Sequence, residues 1–115
     1  MFTGIIEEIG LVTEIRQDGG NVHFTIQSTL SNELKIDQSV AHNGCCLTVV
    51  GLSPDQHVVT AIHETLQKTN LGRWTVGSKI NLERCMSLNG RLDGHIVQGH
   101  VDGLARCIEI TDEDG

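Results

Sequence analysis

The sequence predicts an all-β fold, either a barrel or a sandwich. Short segments of alternating apolar and polar residues recur about every ten to fifteen residues, separated by Gly, Asn, Asp and Ser. A single stretch has a helical pattern. The chain of 115 residues has room for one hydrophobic core, so we expect one compact domain.

The first clear strand follows a turn signal, Asp-Gly-Gly at residues 18–20. Val22, Phe24 and Ile26 fall on one face of this strand, and the residues between them fall on the other. This alternation is typical of a strand that buries one face.

The next two strands are predicted to pair as a hairpin. Residues 45–50 form a β-branched, nearly continuous apolar run, and residues 57–62 form a second one. Gly51 and the Ser-Pro-Asp sequence at residues 53–55 are the turn residues expected between them.

One helix and one more strand complete the pattern. Residues 64–70 predict a helix of a turn or two that ends near Gly72. Residues 79–83 alternate cleanly after the turn signal Val-Gly-Ser at 76–78, and they predict a strand.

The chain also matches itself when it is shifted by 95 residues. Residues 4–10 then lie over residues 99–105, and Glu14-Ile15 lies over Glu109-Ile110, with identical or similar residues at seven of the nine pairs. Two alternating strands can share such a pattern by chance. If the repeat is real, the chain contains one complete barrel and the first strand of a second.

Charge and composition argue against nucleic acid as a partner. Fifteen acidic residues against eight basic ones give a net charge of −7, which repels phosphate backbones. Phe2, Phe24 and Trp74 are the only residues of the Phe, Tyr and Trp types, so no surface for stacking bases is expected. An oligonucleotide-binding barrel, which needs a basic and aromatic surface, is therefore disfavoured.

The sequence predicts a cytoplasmic protein with no membrane contact. No run approaches the roughly 18 consecutive apolar residues that span a bilayer. The first eight residues contain no basic side chain and become acidic at Glu7, the opposite of a secretory signal.

The cysteines and histidines do not predict a metal site. The four cysteines are expected to be reduced thiols, because a disulfide scaffold needs a secreted context and more cysteine. Cys45 and Cys46 would point to opposite faces of a strand, and no Cys-x-x-Cys occurs. His95 and His100 stand five residues apart, which also separates them on a strand.

Five blocks of the chain resemble the riboflavin synthase family, in that family's order and spacing. The match covers essentially the whole chain and is far more specific than a single motif. The blocks are MFTGII at residues 1–6, SVAHNGCCLTV at 39–49, ETL with TNLG at 64–72, NLER at 81–84 and GHIVQGHV at 94–101.

The resemblance implies a six-stranded antiparallel Greek-key barrel that occurs twice in the full enzyme. Residues 1–93 would form the N-terminal lumazine- and flavin-binding barrel, and residues 94–115 a linker and the first strand of a second, truncated barrel. In the family, the substrate site forms between the N-terminal barrel of one subunit and the C-terminal barrel of its neighbour. We expect a homotrimer for the full-length protein and a homodimer for this chain alone.

The implied reaction is a dismutation that needs no cofactor or metal. Two molecules of 6,7-dimethyl-8-ribityllumazine exchange a four-carbon unit and give riboflavin and a pyrimidinedione. Such a ligand requires an apolar slot for the ring, polar partners for the pyrimidine edge and further polar groups for the ribityl hydroxyls.

The resemblance also implies which residues serve this site. The catalytic candidates are Ser39, Cys46 and His100. The substrate-binding set is Gly4, Ile5 and Ile6 for the ring slot, Cys46, Leu47 and Thr48 for the ring, Ala61 and Ile62 for its polar edge, Glu64 and Thr65 for the ribityl chain, and Gly99, His100 and Val101 at the start of the repeat.

Each of these residues also has a purely structural interpretation. Cys46 could be a small core residue, Ser39 a turn hydroxyl, and Glu64 an acid that stabilises the dipole of a short helix. The other histidines are expected to be solvated or locally hydrogen-bonded side chains: His23, His42, His57 and His63.

A second function remains open for the same barrel. Lumazine and flavin antenna proteins hold the chromophore for light emission and perform no chemistry. Ser39, Cys46 and His100 together favour the enzyme, because a pure binder does not need polar groups at the reacting edge.

Overall fold

A computed structural model describes residues 1–115 and contains six strands, one α-helix and two short 3₁₀ turns. The 3₁₀ turns lie at Thr29–Glu33 and Leu71–Arg73. The remaining elements are β1 (Glu8–Asp18), β2 (Asn21–Gln27), β3 (Ser39–His42), β4 (Cys45–Ser53), β5 (Gln56–Ala61), α1 (His63–Lys68) and β6 (Lys79–Arg84).

The six strands close into an antiparallel barrel in the order β1-β2-β5-β4-β3-β6. Strand β1 pairs with both β2 and β6, which closes the barrel. The connections from β2 to β3 and from β5 to β6 join strands that are not neighbours, as in a Greek key. The six-stranded antiparallel barrel expected from the sequence is confirmed.

The core is built from the inward faces of the strands, as the alternation predicts. Phe24 and Ile26 are buried on β2, and Phe24 packs edge to face on Trp74 with ring centroids 4.9 Å apart. The predicted helix begins one residue early and ends at Lys68, because Thr69 adopts an extended conformation. The predicted strand at residues 79–83 is β6.

The hairpin of β4 and β5 is confirmed, but the predicted role of Gly51 in its turn is wrong. Gly51 lies within β4, at a shift in register between Val49 and Gly51. Such a bulge adds one residue to a strand and bends it, so β4 continues to Ser53. The turn consists of residues 54–55, where Asp55 has a positive φ of 61°.

His42 is locally hydrogen-bonded as expected, to the Val40 carbonyl, whereas the expectation of a solvated or locally bonded side chain is wrong for His57. Both side chains are fully buried rather than solvated. Their ring Nε2 atoms lie 3.0 Å apart, so each histidine is the other's polar partner inside the barrel. His23 is locally bonded as expected, to Thr60 and Asp18.

Residues after β6 return to the barrel instead of forming a new strand. Phe2 and Val97 exchange two backbone hydrogen bonds of 2.7 and 2.8 Å. The Cys46 amide donates to the Gly99 carbonyl at 2.9 Å. Residues 102–115 form no strand in this structure. The domain division after residue 93 stays a prediction. No helix in the structure is both long enough and apolar enough to cross a membrane.

Candidate ligand-binding cleft

The candidate site lies where β4 changes its pairing partner. Residues 45–48 of β4 pair with β3, whereas the register with β5 begins only at Val49↔Val59. The end of β5 remains paired with β2 as far as Ala61. The barrel wall is therefore open between the start of β4 and the end of β5.

A cleft of about 260 Å³ lies beside the start of β4. This is near the lower limit of the roughly 300–1,000 Å³ typical of small-molecule sites. The cleft contains six of the residues expected at the site. Its lining residues are Cys45, Cys46, Glu64, Thr65, Lys68, Thr69, Gly99, His100 and Val101.

The two cysteines lie on opposite faces of β4, as the sequence predicts. Cys45 is buried in the core, and this burial, with a smaller contribution from the charge of Cys46, raises the pKa of its thiol to about 11. Cys46 is only partly buried, and its amide is held by the Gly99 carbonyl. Cys45 therefore takes the core role, and Cys46 is the thiol available to a ligand.

Helix α1 places a carboxylate and an ammonium group at one end of the cleft. Lys68 Nζ donates to Glu64 Oε1 at 2.8 Å, across one helical turn. This hydrogen bond holds the pKa of Glu64 below its usual value and raises that of Lys68. Sequence reasoning missed Lys68, although the i, i+4 spacing to Glu64 was a signal for the pair.

Five other predicted residues lie near the gap without lining the cleft. Leu47 and Ala61 direct their side chains into the core, so they can offer only main-chain groups to a ligand. Thr48 and Ile62 are exposed on the two sides of the opening. Ser39 pairs with Thr48 in the β3–β4 register and is partly buried.

The N-terminal residues of the predicted set lie elsewhere. Ile5 lines a second cleft of about 560 Å³, together with Glu83 and Arg84 at the end of β6 and several residues that follow this strand. Gly4 packs near His95, and Ile5 and Ile6 are exposed. The structure does not bring these three residues to the cleft that contains Cys46.

Neither cleft contains a metal-ligating cluster. No group of three or more His, Cys, Asp or Glu side chains is arranged to hold a metal ion. The polar groups of the β4 cleft are instead a carboxylate, an ammonium group, hydroxyls, a thiol and an imidazole. This mixture of donors and acceptors can bind a ligand that carries several hydroxyl groups.

Comparison with known proteins supports this chemical description. Residues 3–85 match the model of a family described as the lumazine binding domain. The chain belongs to the lumazine binding domain family. The matched residues include every strand of the barrel.

Curated relatives of this lumazine-binding domain carry the name riboflavin synthase. The chain is 46% identical over 111 residues to the protein of Bacillus amyloliquefaciens, covering 96% of this chain and 52% of that protein. It is 43% identical over 114 residues to the protein of Bacillus subtilis, covering 98% of this chain and 53% of that one. The chain therefore spans about half the length of the curated relatives it matches.

Solved structures with the same fold contain bound ligands. The structure of LumP complexed with 6,7-dimethyl-8-(1'-D-ribityl) lumazine has a TM-score of 0.86 at 27% identity, over 99% of this chain and 64% of that one. LumP complexed with flavin mononucleotide has a TM-score of 0.82 at 27% identity, over 99% of this chain and 61% of the other.

Proposed function

We propose that this chain is the N-terminal half of a riboflavin synthase and binds 6,7-dimethyl-8-ribityllumazine or riboflavin in the β4 cleft. The proposal rests on one observation: one cleft is lined by four predicted site residues, Cys46, Glu64, Thr65 and His100. This cleft lies where β4 stops pairing with β5 and pairs only with β3. The identity of 43–46% to riboflavin synthases supports the assignment.

The ring of the ligand enters the gap between β4 and β5. There Cys46 and Thr48 contact the ring together with Val101, and Ile62 lies at its polar edge. The main chains of Leu47 and Ala61 border the gap at this level, where β4 and β5 do not pair with each other. Glu64 and Thr65 bind the ribityl hydroxyls at the α1 end of the cleft.

The full-length enzyme dismutates two lumazines by four-carbon transfer. One barrel binds one lumazine, so two barrels from neighbouring subunits must face each other to align two rings. Alignment of the two rings is the largest contribution to the rate enhancement, since correct orientation of the reactants can lower the activation barrier by roughly 7–11 kcal/mol. Ser39, Cys46 and His100 are the groups that serve proton transfer and addition to the ring. A trimer of the full-length protein in the cytoplasm is part of this proposal.

A binding protein without catalysis is the competing function. The LumP structures share the fold at 27% identity, whereas the riboflavin synthases reach 46%. The higher identity, over nearly the whole chain, favours the enzyme. Turnover of lumazine by the intact protein separates the two functions.

Titration with riboflavin tests binding by the chain itself. We expect flavin fluorescence to change saturably with one ligand per chain, and sedimentation of the same sample to report a dimer. Thr75→Val, in an exposed turn remote from the cleft, serves as the control variant and should bind like the natural chain. Absence of saturable binding by a folded chain would contradict the proposal.

A further inference from the structure

A buried carboxylate fastens the N-terminal segment to the barrel. Glu83, on β6, is only 5% exposed. Its Oε2 atom accepts hydrogen bonds from the Thr3 amide at 2.7 Å and from Thr3 Oγ1 at 2.6 Å, and its Oε1 atom accepts from the Gly4 amide at 3.0 Å. Gly4 has a positive φ of 85°, a conformation that lets adjacent amides converge on one anion and that glycine adopts without strain.

The N-terminal segment in turn holds residues 95–97. Phe2 and Val97 are bonded reciprocally through their backbones, and the His95 amide donates to the Thr3 carbonyl at 2.9 Å. The Phe2 ring is almost completely buried. Three backbone hydrogen bonds and one buried aromatic ring therefore join the two segments.

Residues 99–101 extend from this pairing to the ligand cleft. Gly99 lies between the Phe2 ring and Cys46, so closely that a Cβ atom there would come within 2.8 Å of Phe2 Cε2 and 2.9 Å of Cys46 Cβ. The Gly99 carbonyl binds the Cys46 amide, and His100 and Val101 form one wall of the cleft. The position of that wall thus depends on contacts that lead back to Glu83.

We propose that Glu83 is a positioning residue for the ligand cleft, acting through Thr3, Phe2 and Val97 to hold Gly99, His100 and Val101 against Cys46. Glu83 does not line this cleft; it lines the second one, on the other side of the N-terminal segment. When the fraction of molecules with the wall in place falls, the apparent affinity falls by the same factor. The inference rests on the proposed ligand binding.

The hydroxyl of Thr3 allows a matched test in the full chain. Thr3→Val keeps the side-chain shape and removes the donor to Glu83, whereas Thr3→Ser restores the donor. We expect Thr3→Val to raise the riboflavin dissociation constant about three- to tenfold, the size of a typical net hydrogen-bond contribution, and Thr3→Ser to stay within about twofold. Glu83→Gln should have the larger effect if that variant folds.

Amide hydrogen exchange gives a readout that does not need the ligand. The amides of Cys46 and Val97 should exchange faster in Thr3→Val than in Thr3→Ser, under conditions in which exchange occurs by local opening and not by global unfolding. Unchanged affinity together with unchanged exchange in Thr3→Val would overturn the role of Glu83. If the natural chain fails to bind riboflavin, the proposed function fails instead, and the exchange rates still decide whether Glu83 holds the wall.

Discussion

Ser31, His57 and His42 form a hydrogen-bonded chain through the buried part of the barrel. His42 Nδ1 lies 3.0 Å from the Val40 carbonyl, which can only accept, so Nδ1 carries a proton and Nε2 is an acceptor. His57 Nε2 then donates to His42 Nε2, and His57 Nδ1 accepts from the Ser31 hydroxyl at 2.7 Å. Every ring nitrogen is satisfied when both histidines are neutral.

This arrangement predicts a loss of stability in mild acid. Burial lowers the pKa of His42 to about 3, with a further contribution from His57, and burial lowers that of His57 to about 4. Below pH 6.5 the two histidines are protonated in the unfolded chain but stay neutral in the folded barrel. The free energy of unfolding therefore falls as the pH drops from 6.5 towards 4. At about pH 5 each histidine lowers the free energy of unfolding by about 2 kcal/mol.

Urea unfolding at several pH values measures this loss. The expected decrease from the two histidines together is about 4 kcal/mol between pH 7 and 5. Ring signals of His42 and His57 in NMR spectra should stay unchanged over this range while the protein remains folded. Ring protonation of either histidine in the folded state above pH 5 would contradict the assigned neutral chain.

Glu64 is the residue at which the ribityl assignment can be tested directly. We expect Glu64→Gln to weaken riboflavin binding about tenfold, because a hydrogen bond to a carboxylate is replaced by a weaker neutral one. Lumiflavin, which has the same ring and no ribityl chain, should bind this variant and the natural chain equally. Lys68→Met is the control for loss of the Glu64 ion pair. Equal weakening of both ligands by Glu64→Gln would show that Glu64 does not act on the ribityl chain.

At the level of elements, the change of partner along β4 opens the cleft, and the close packing of β1 against β2 and β6 stabilises the barrel. Strand β4 leaves β5 at Val49 and stays with β3. On the opposite side, Gly10 lets β1 approach β2 and β6: a Cβ atom there would lie 2.6 Å from Ile26 Cγ2 and 2.8 Å from Leu82 Cδ1. Real side chains do not approach this closely, so the two neighbours would have to move.

Two glycine variants test this packing. Gly10→Ala should lower the free energy of unfolding by about 1–3 kcal/mol, the range found for overpacked cores. Gly72→Ala, in the second 3₁₀ turn, meets no atom within 4 Å and should change it by less than about 1 kcal/mol. Urea unfolding of both variants gives the comparison. Equal stability of the two would mean that the β1 interface relaxes without cost.

At the level of the whole molecule, the structure contains one barrel, whereas the proposed dismutation has to align two ligands. The β4 cleft has a volume of about 260 Å³, and His100 lies in the wall formed by residues 99–101 rather than in a strand. Several apolar side chains near the opening and on the barrel surface are exposed, which suits contact with another barrel. These include Ile9, Leu11, Val50, Leu52 and Ile62.

The catalytic assignment is tested in the full-length protein. We expect Ser39→Ala and His100→Gln to lower kcat by at least about tenfold while the dissociation constant of lumazine changes less than threefold, since the proposed function has each group act on the transition state. Rapid-mixing turnover and equilibrium binding measure the two quantities. Equal losses of turnover and affinity would assign both residues to binding alone.

The sequence alone determined the fold class and most elements. The alternation of Val22, Phe24 and Ile26, the apolar run of β4 and the pattern of β6 reflect local rules of strand geometry, and the structure follows them. The resemblance also predicted Cys46, Glu64, Thr65 and His100 as site residues, and the structure brings these four to one cleft.

Only the tertiary structure decided the features that depend on distant residues. Neither the burial of His42 and His57 nor the hold of Glu83 on Thr3 has a local signal, because the partners are 15 and 80 residues apart. Gly51 appeared to be a turn residue, since a bulge requires a second strand to define it. Alternation predicts which side of a strand a residue occupies, but pairing across the closed barrel decides what that side faces.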